Sequence, residues 1–593
     1  MPLKLSRLSA YVLPGFLGGL AFFCLPAASG GYRVVKWAFA CLLLFCATAL
    51  LCRSIEQLRL PSRKLFLLAV FVFPASLALS LLTDGADGAI CLAGISRLLT
   101  GIAFLLLAGS LWSTYDRQNR DSAFFAFICI AALSAIPLAI SFYRMFSDGY
   151  IFEPGITGTF GNPNWAAAYL VTAIPVAAYA LIDFPGRFKK VIAGGCLLMV
   201  LCGIAVSLSK TGMLTGVVML FVSFSAFSKH ATGKKYVLLS GALLCLAGII
   251  WYNGQLLQWL QPRLYIWRAL ALGLPDTWLV GSGALQGLRT IQAGLATIIG
   301  GSSTAYMPTT QVDFIHNDYL QALAEGGIAG FVSYVAIIVL TLKKAYCSAS
   351  RSAHAAGLAF LALSIFALAD SPLQVPVTFF VWCFFLAIIW YDDAAVGCAV
   401  IKNTAAVKAV LCACLALFLA EGGRQALGSY CWSKSGQTTT LVQQKKYLDL
   451  AAFFLAESGS VHTEYAQALE RSRQYRQALT QALRAKAVKF DYDDLYVIAA
   501  ARIHLGIQEP LTAWGNISAD FPCLHYPKIK RAEYYLQKGT YERAREECSS
   551  VIYECQSVNP GEPFSEQALN IIEMIDSQTE MIDSAPDMVD SEP

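Results

Sequence analysis

Residues 164–183 read NWAAAYLVTAIPVAAYALID, residues 190–208 KVIAGGCLLMVLCGIAVSL, and residues 211–228 TGMLTGVVMLFVSFSAFS. Each is an apolar run of roughly 17–20 residues, long enough as a helix to cross about 30 Å of hydrocarbon. Working outward, comparable runs recur at 8–28, 33–52, 65–82, 90–112, 122–145, 236–253, 327–342, 354–369, 376–391 and 404–422. The expected fold is therefore all-α: a polytopic transmembrane bundle of about thirteen spans, followed by a soluble helical domain.

Composition agrees. The 593 residues are 56% hydrophobic and only 14% charged, against about 25% charged in soluble domains, and the mean hydropathy is +0.55. The net charge of +5 is spread in short clusters between apolar runs, a pattern that orients a membrane protein and lacks the basic face of a nucleic-acid binder. Most of the eighteen cysteines lie inside apolar runs, with no CxxC and no Cys/His spacing suited to zinc. Lys4 and Arg7 precede a first run that is followed quickly by others, so it reads as a retained helix rather than a cleaved signal.

Positive charges set the orientation. Arg53, Arg59, Arg63, Lys64, Arg117, Arg120, Arg187, Lys189, Lys190, Lys229, Lys234, Lys235, Lys343, Lys344, Arg351 and Lys402 join Lys4 and Arg7 on one side. The other side's short segments offer only Arg33, Lys36, Arg144 and Lys210. The amino terminus is expected in the cytoplasm, with a long loop at 254–326 and everything beyond Glu421 outside.

The expected division is a membrane domain at 1–423, a repeat domain at 424–575 and an acidic tail at 576–593. In the repeat domain Ala466, Ala499 and Ala532 are spaced by 33, as are Gly506 and Gly539, and Tyr475 and Tyr541 stand at twice that interval. The stretches YAQALERSRQYRQALTQALRAKAV and AEYYLQKGTYERAREECSSVI place small residues, a turn and an aromatic where a helical hairpin needs them. The middle copy, LYVIAAARIHLGIQEPLTAW, is degenerate. The pattern resembles tetratricopeptide repeats, with a generic helical-hairpin domain as the alternative. The tail IDSQTEMIDSAPDMVDSEP (575–593) is acidic and apolar-poor and is expected to be disordered.

Four segments on the expected outer side carry polar residues that a lipid-facing helix would not tolerate. GTFGNPNWAAAYL (158–170) sets Asn162 and Asn164 around Pro163 just ahead of a span. There a turn with a helix N-cap is the local reading. SLSKTGML (207–214) puts Lys210 outside, against the charge bias. Its ammonium either snorkels to the interface or binds an anionic group.

In RLYIWRALALGLPDTWLVGSGALQG (263–287), Leu264, Trp267, Leu270 and Ala271 recur at helical spacing. They predict an amphipathic helix lying along the membrane and carrying Arg263 and Arg268. The Gly281-Ser282-Gly283 stretch behind it reads as a loop turn before a phosphate cradle. FIHNDYLQALAEGGIAG (314–330) runs into the next span: Asn317 or Asp318 can cap a short helix, and Gly326-Gly327 can end it. Capping does not account for His316, the one histidine in the large outer loop.

In this order, the four segments resemble the O-antigen ligase family, with its polysaccharide polymerase and protein O-oligosaccharyltransferase relatives, over residues 150–345. One departure is Lys210, in Ser209-Lys210-Thr211-Gly212, where the family usually has arginine; lysine keeps the charge and loses the bidentate fork. The resemblance implies transfer of a glycan from an undecaprenyl-diphosphate carrier to an acceptor hydroxyl at the outer face of the bacterial cytoplasmic membrane. It casts His316 as base and Arg263 as the cation on the departing diphosphate. Lys210 and Arg268 then assist on the donor, Asn162, Asn164 and Asn317 contact substrate, and Glu325 positions the loop or shares the base role. No cofactor or metal is implied, in keeping with outer loops that hold no DxD and only the isolated Asp276, Asp313 and Asp318.

The acceptor can be a lipid core, a growing glycan or a protein. The repeat domain slightly favours a protein acceptor or partner. The competing reading is a polysaccharide transporter or a non-catalytic assembly scaffold. Transporters place ionisable groups at the midplane of broken helices, whereas the polar groups here cluster at the outer edge.

Overall fold

Long apolar segments satisfy their backbone polar groups internally, as helices, wherever water is excluded. The structure, a computed structural model, is helical almost throughout. It describes residues 2–22, 32–51, 58–61, 63–82, 87–147, 158–227, 241, 256–300, 311–312, 314–392, 398–401, 404–521, 524–558 and 563–583.

The helices that carry the expected spans are α1 (Pro2–Phe22), α2 (Tyr32–Leu51), α3 (Lys64–Leu79), α4 (Gly88–Trp112), α5 (Arg117–Ser147), α6 (Pro163–Asp183), α7 (Arg187–Val206) and α8 (Lys210–Phe227). Next come α9 (Leu256–Gly273), α10 (Leu288–Gly300), α11 (Asp318–Tyr346), α12 (Arg351–Phe366), α13 (Pro376–Tyr391), α14 (Thr404–Ser435) and α15 (Leu441–Phe454). Seven of these, α4 to α8, α11 and α14, are long and apolar enough to cross a membrane, and α1, α2, α3, α12 and α13 contain shorter apolar stretches. The expected span at 236–253 lies outside the described residues, Gly241 apart.

Contacts divide the chain into two compact units. The first holds Met1–Trp267, Leu274–Thr290 and Asp313–Ser458; the second holds Arg268–Gly273, Ile291–Val312 and Gly459–Pro593. In the first, α13 is buried along its whole length and α6 from Ala166 to Ala180, as helices apolar on every side must be. The neighbouring α4 approaches α13 through small residues: a Cβ on Gly109 would lie 2.4 Å from the Tyr391 ring. By contrast Phe188, Val191 and Leu198 of α7 are exposed, as suits a helix facing lipid. A short antiparallel pair, β1 (Leu58–Pro61) with β3 (Cys398–Ile401), closes two loops of this unit.

The boundary expected at 423/424 falls inside α14, which runs on to Ser435, and α15 packs on it within the first unit. Polar residues continue the packing there: Arg424 pairs with Glu421 and with Glu457 at 2.7 and 2.8 Å, and Arg97 of α4 reaches Glu457 at 2.7 Å. Burial works to raise the Glu457 carboxyl, but the two arginines outweigh it and hold it down to about 2.

The second unit stacks α16 (Gly459–Arg471), α17 (Tyr475–Val488), α18 (Tyr492–His504), α19 (Pro510–Asp520), α20 (His525–Gln537), α21 (Tyr541–Val558) and α22 (Pro563–Asp583). Ala466, Ala499 and Ala532 are buried. The degenerate middle copy forms its hairpin, α18–α19, like the others. Each first helix ends on a left-handed residue, Arg473 (φ 60°), Gly506 (φ 66°) and Gly539 (φ 70°), again 33 apart. In each, the following N–H reaches back to the helix at 2.9 Å (Gln474 to Leu469, Ile507 to Arg502, Thr540 to Tyr535), the Schellman closure. Part of the long 254–326 loop belongs here: Gln292 donates to the Lys486 carbonyl, and β2 (Gln311–Val312) pairs with β4 (Phe490–Asp491). The tail expected to be disordered from 576 is helical through Asp583, because Ala568, Ile571 and Ile575 form one apolar stripe packed on α20 and α21; residues 584–593 lie outside the described residues.

Two predictions concern the second unit. Arg473 is exposed and holds a conformation that costs a residue with a Cβ about 1–2 kcal/mol. Arg473→Gly should stabilise the unit by up to about 1 kcal/mol, read as a higher melting temperature; an unchanged or lower one would remove the strain argument.

Asp494 is buried, accepts from Thr463 at 2.7 Å and keeps Oδ2 without a partner. Burial, opposed by Lys489 and Thr463, pushes its carboxyl up to about 7. The folded state thus holds a proton that the unfolded chain gives up near 4. The stability this proton supplies is fully present below about 4 and is lost as pH rises through about 7. Asp494→Asn should flatten that decline and raise stability above pH 7; an identical pH profile in the variant would exclude Asp494 as its source.

Candidate functional site

The segment ahead of α11 is held from both sides. Asn317 caps α11 by accepting from the Tyr319 and Leu320 N–H groups, each at 3.0 Å, and its amide donates to the Leu368 carbonyl at 2.9 Å. The Asp318 N–H donates to the Ala367 carbonyl at 3.0 Å, and the Asp318 carboxylate accepts from the Leu373 N–H at 3.0 Å. The start of α11 is thereby bound to the turn that leaves α12.

That binding sets His316 against Asp370. The imidazole Nδ1 lies 3.4 Å from Asp370 Oδ1, with the histidine about one-third exposed and the aspartate 3% exposed. Asp370 also takes the Ser371 N–H at 2.8 Å, and Arg263 of α9 approaches its other oxygen at 3.8 Å while donating Nε to the Ala369 carbonyl at 2.8 Å. Burial works to raise the Asp370 carboxyl, and His316, Arg263 and the Ser371 N–H together bring it below the usual carboxylate range. Burial lowers the Arg263 guanidinium, and Asp370 opposes that shift. With Nδ1–H directed at Asp370, the imidazole's lone pair is left on Nε2. His316 holds a left-handed backbone (φ 54°).

The other segments meet here too. Trp267 Nε1 of α9 donates to the Ile315 carbonyl at 2.9 Å. The Trp165 ring at the start of α6 stands edge-on to Phe314 with centroids 6.1 Å apart, and Phe314 edge-on to His316 at 6.3 Å. Asn162 caps α6 through the Asn164 N–H at 2.8 Å, while Asn164 Oδ1 accepts from Ser209 Oγ at 2.6 Å. Ser209 in turn caps α8 by accepting from the Gly212 N–H at 3.1 Å, so the two segments carrying Asn164 and Lys210 are joined. Lys210 itself, half-buried on the first turn of α8, makes no hydrogen bond or ion pair among the described residues.

Several expectations are revised. The buried side of α9 is Arg263, Ile266, Ala269 and Leu270, whereas Leu264 and Ala271 are exposed; an arginine, not an apolar residue, starts the inward stripe because Asp370 receives its charge. Arg268 is exposed and falls in the second unit, so it is not among the side chains that meet at Asp370. The Gly281-Ser282-Gly283 turn is spent on packing: the Ser282 and Gly283 N–H groups donate to the Ala324 and Glu325 carbonyls at 2.8 and 3.1 Å. It fits only because α11 kinks at Gly327 (φ 61°), where a Cβ would lie 2.3 Å from the Leu279 carbonyl oxygen. Buried Glu325 accepts from Gln321 and from the Leu285 N–H, which makes it a brace for this turn.

Asp318 is not isolated, since Asp370 and Glu325 lie close enough for their charges to act on it. Among the described residues, no group of three His, Cys, Asp or Glu side chains is arranged to hold a metal ion. Asp370 is the residue that sequence reading missed. Its one signal was a lone carboxylate closing the 354–369 run with no basic neighbour in sequence.

Beside this group runs an apolar cavity of about 140 Å³, walled by Phe73, Leu77, Leu105, Phe379 and Trp382. Its polar lining residues are Arg97, Asp318, Gln321, Glu325 and Gln374, with Asp318 Oδ1 buried and unpartnered.

No protein-family model matches the chain, and no curated protein matches it. Among solved structures it aligns with the crystal structure of the yeast Tom70 at 12% identity, over 77% of this chain and 97% of that one, with a TM-score of 0.19. A superposition that loose carries no argument.

Removing one member of a buried ion pair leaves the other charge uncompensated, at a cost of about 3 kcal/mol. Both Asp370→Asn and Asp370→Ala remove that charge and should lower the melting temperature of the purified protein, the alanine variant more, since it also loses the hydrogen bonds to Ser371 and His316. Equal and small losses would mean that Arg263 does not depend on Asp370.

Proposed function

We propose that the chain is a metal-independent membrane glycan transferase of the O-antigen ligase type. It moves an oligo- or polysaccharide from an undecaprenyl-diphosphate carrier to an acceptor hydroxyl at the outer face of a bacterial cytoplasmic membrane. The observation that carries this reading is the convergence of His316 and Arg263 on Asp370, beside the joined Asn164–Ser209–Lys210 segments. An imidazole with a free Nε2, backed by a carboxylate that also draws in the Arg263 guanidinium, is what proton abstraction coupled to diphosphate departure requires.

In the proposed reaction His316 Nε2 takes the acceptor's hydroxyl proton. The acceptor oxygen forms its bond to the anomeric carbon as the bond from that carbon to the diphosphate oxygen breaks, and the electron pair leaves on the diphosphate. Configuration inverts. Asp370 holds the imidazole in the required tautomer and balances the imidazolium that forms. Arg263 and Lys210 neutralise the departing charge, and the apolar cavity suits a segment of the lipid carrier. Asn162 and Asn317, committed to helix caps, act by fixing the segments that carry the reactive groups.

The membrane domain is proposed to cross thirteen times with its amino terminus inside. The tetratricopeptide-like stack would lie outside and dock a protein partner or acceptor.

The test is transfer from a purified lipid-linked donor. His316→Ala should lower turnover about 10²–10⁴-fold with donor binding nearly unchanged. Asp370→Asn should lower turnover too, since an amide stabilises no imidazolium. Arg263→Ala should weaken both binding and turnover, with lysine there restoring charge but not the fork. A folded, fully active His316→Ala protein would remove the base and favour the transporter or scaffold reading.

A further inference from the structure

The helices that reach the candidate site also carry, at their other ends, a second polar cavity. α6 starts at the site, capped by Asn162, and ends at Asp183; α12 leaves for the site at Ala367 and begins at Arg351. The 21 residues of α6 put about 30 Å between the two ends, one hydrocarbon thickness. At the far end a cavity of about 330 Å³ is lined by Arg117, Arg120, Asp121, Tyr179, Asp183 and the 349–352 turn.

Most of its charges are matched. Arg120 holds Asp392 at 2.7 Å, Arg351 holds Asp183 Oδ1 at 2.5 Å and donates to the Phe227 carbonyl at 2.8 Å, and the Tyr179 hydroxyl donates to Asp121 at 3.1 Å. Two groups keep bonding capacity. Arg117 is exposed and makes no hydrogen bond or ion pair among the described residues, although its charge acts on Asp121. Asp183 Oδ2 is buried without a partner. Within eight residues after Asp183 in the chain, Phe188 and Val191 on the first turns of α7 are 76% and 73% exposed, an apolar surface following the Asp183 end of α6.

The lining mixes both signs, three arginines with Asp121 and Asp183: a simple anion would leave the Asp183 oxygen unsatisfied, and a simple cation would leave the Arg117 donors unused. A zwitterion serves both. We propose that this cavity holds the headgroup of an aminophospholipid, with its phosphate on Arg117, its ammonium donating to Asp183 Oδ2, and its acyl chains against Phe188 and Val191. The proposal rests on the membrane placement of these helices and is independent of the transferase chemistry.

Native mass spectrometry of the full-length protein in detergent, titrated with dioleoyl phosphatidylethanolamine, phosphatidylglycerol or phosphatidylcholine, tests it. One phosphatidylethanolamine should be retained about tenfold more tightly than either other lipid. Phosphatidylglycerol carries no cation, and the choline ammonium has no N–H to donate. Arg117→Ala, which removes no hydrogen bond or ion pair among the described residues, should weaken phosphatidylethanolamine binding by a similar factor. Asp183→Asn, which keeps an oxygen for Arg351 and is checked to be folded by circular dichroism, should abolish the preference over phosphatidylcholine. Equal retention of all three lipids, or full retention by Arg117→Ala, overturns the proposal. Displacement of the lipid by glycerophosphoethanolamine at equal concentration would assign the cavity to a soluble zwitterion instead.

Discussion

A carboxylate stripped of water must be met by hydrogen bonds and countercharge or it takes up a proton, and Asp370 is where this protein meets that requirement. The Ser371 N–H, His316 and Arg263 each supply part of it, and they come from three separate segments. The dependence is mutual. Arg263 is buried on α9 only because a carboxylate waits for it, and His316 has a defined orientation only because Nδ1 has an acceptor. The left-handed backbone at His316 persists because its neighbours leave no alternative: Ile315 is fixed by Trp267, and Asn317 by the Leu368 carbonyl.

His316 and Arg263 were legible in the sequence because a charged or titratable residue at a membrane edge needs a reason, and local pattern supplied none. Asp370 was not, since it stands 54 residues from His316 and only the antiparallel return of α12 brings the two together. The face of α9 was misassigned for a related reason. Apolar periodicity finds the side that prefers to leave water, and it is blind to an arginine drawn inward by a partner elsewhere. In the repeats, glycine marked two of three left-handed turns. Arg473 adopts the same backbone without the mark, so the 33-residue period was visible in the alanines but incomplete in the turns.

The same blindness to long-range charge pairing accounts for the end of the first unit. Glu421, Arg424 and Gln425 follow an apolar run and read locally as the onset of a soluble domain. They face inward because Arg97, set within α4, and Glu457, after α15, require them: Gln425 donates to Glu457 at 2.6 Å and Ser96 to Glu421 at 2.9 Å. A network of this kind stabilises little beyond an apolar replacement, but it allows few alternative arrangements. Its members lie on α4, α14 and the turn after α15, so they fix how those three elements meet.

The two cations proposed for the donor are unequal by construction. Arg263 is anchored through Nε to Ala369 and lies beside Asp370, so its charge is preorganised and its position cannot follow a moving group. Lys210 sits on the first turn of α8, where Ser209 already satisfies the Gly212 N–H. A bidentate fork there would have to share a crowded helix start: a Cβ on Gly212 would lie 2.4 Å from that of Ala167. A flexible ammonium needs no such fixed plane and loses little by lacking one. Under the transferase reading, the fixed guanidinium defines where the diphosphate binds, and the mobile ammonium can stay with it as negative charge builds on the leaving oxygen.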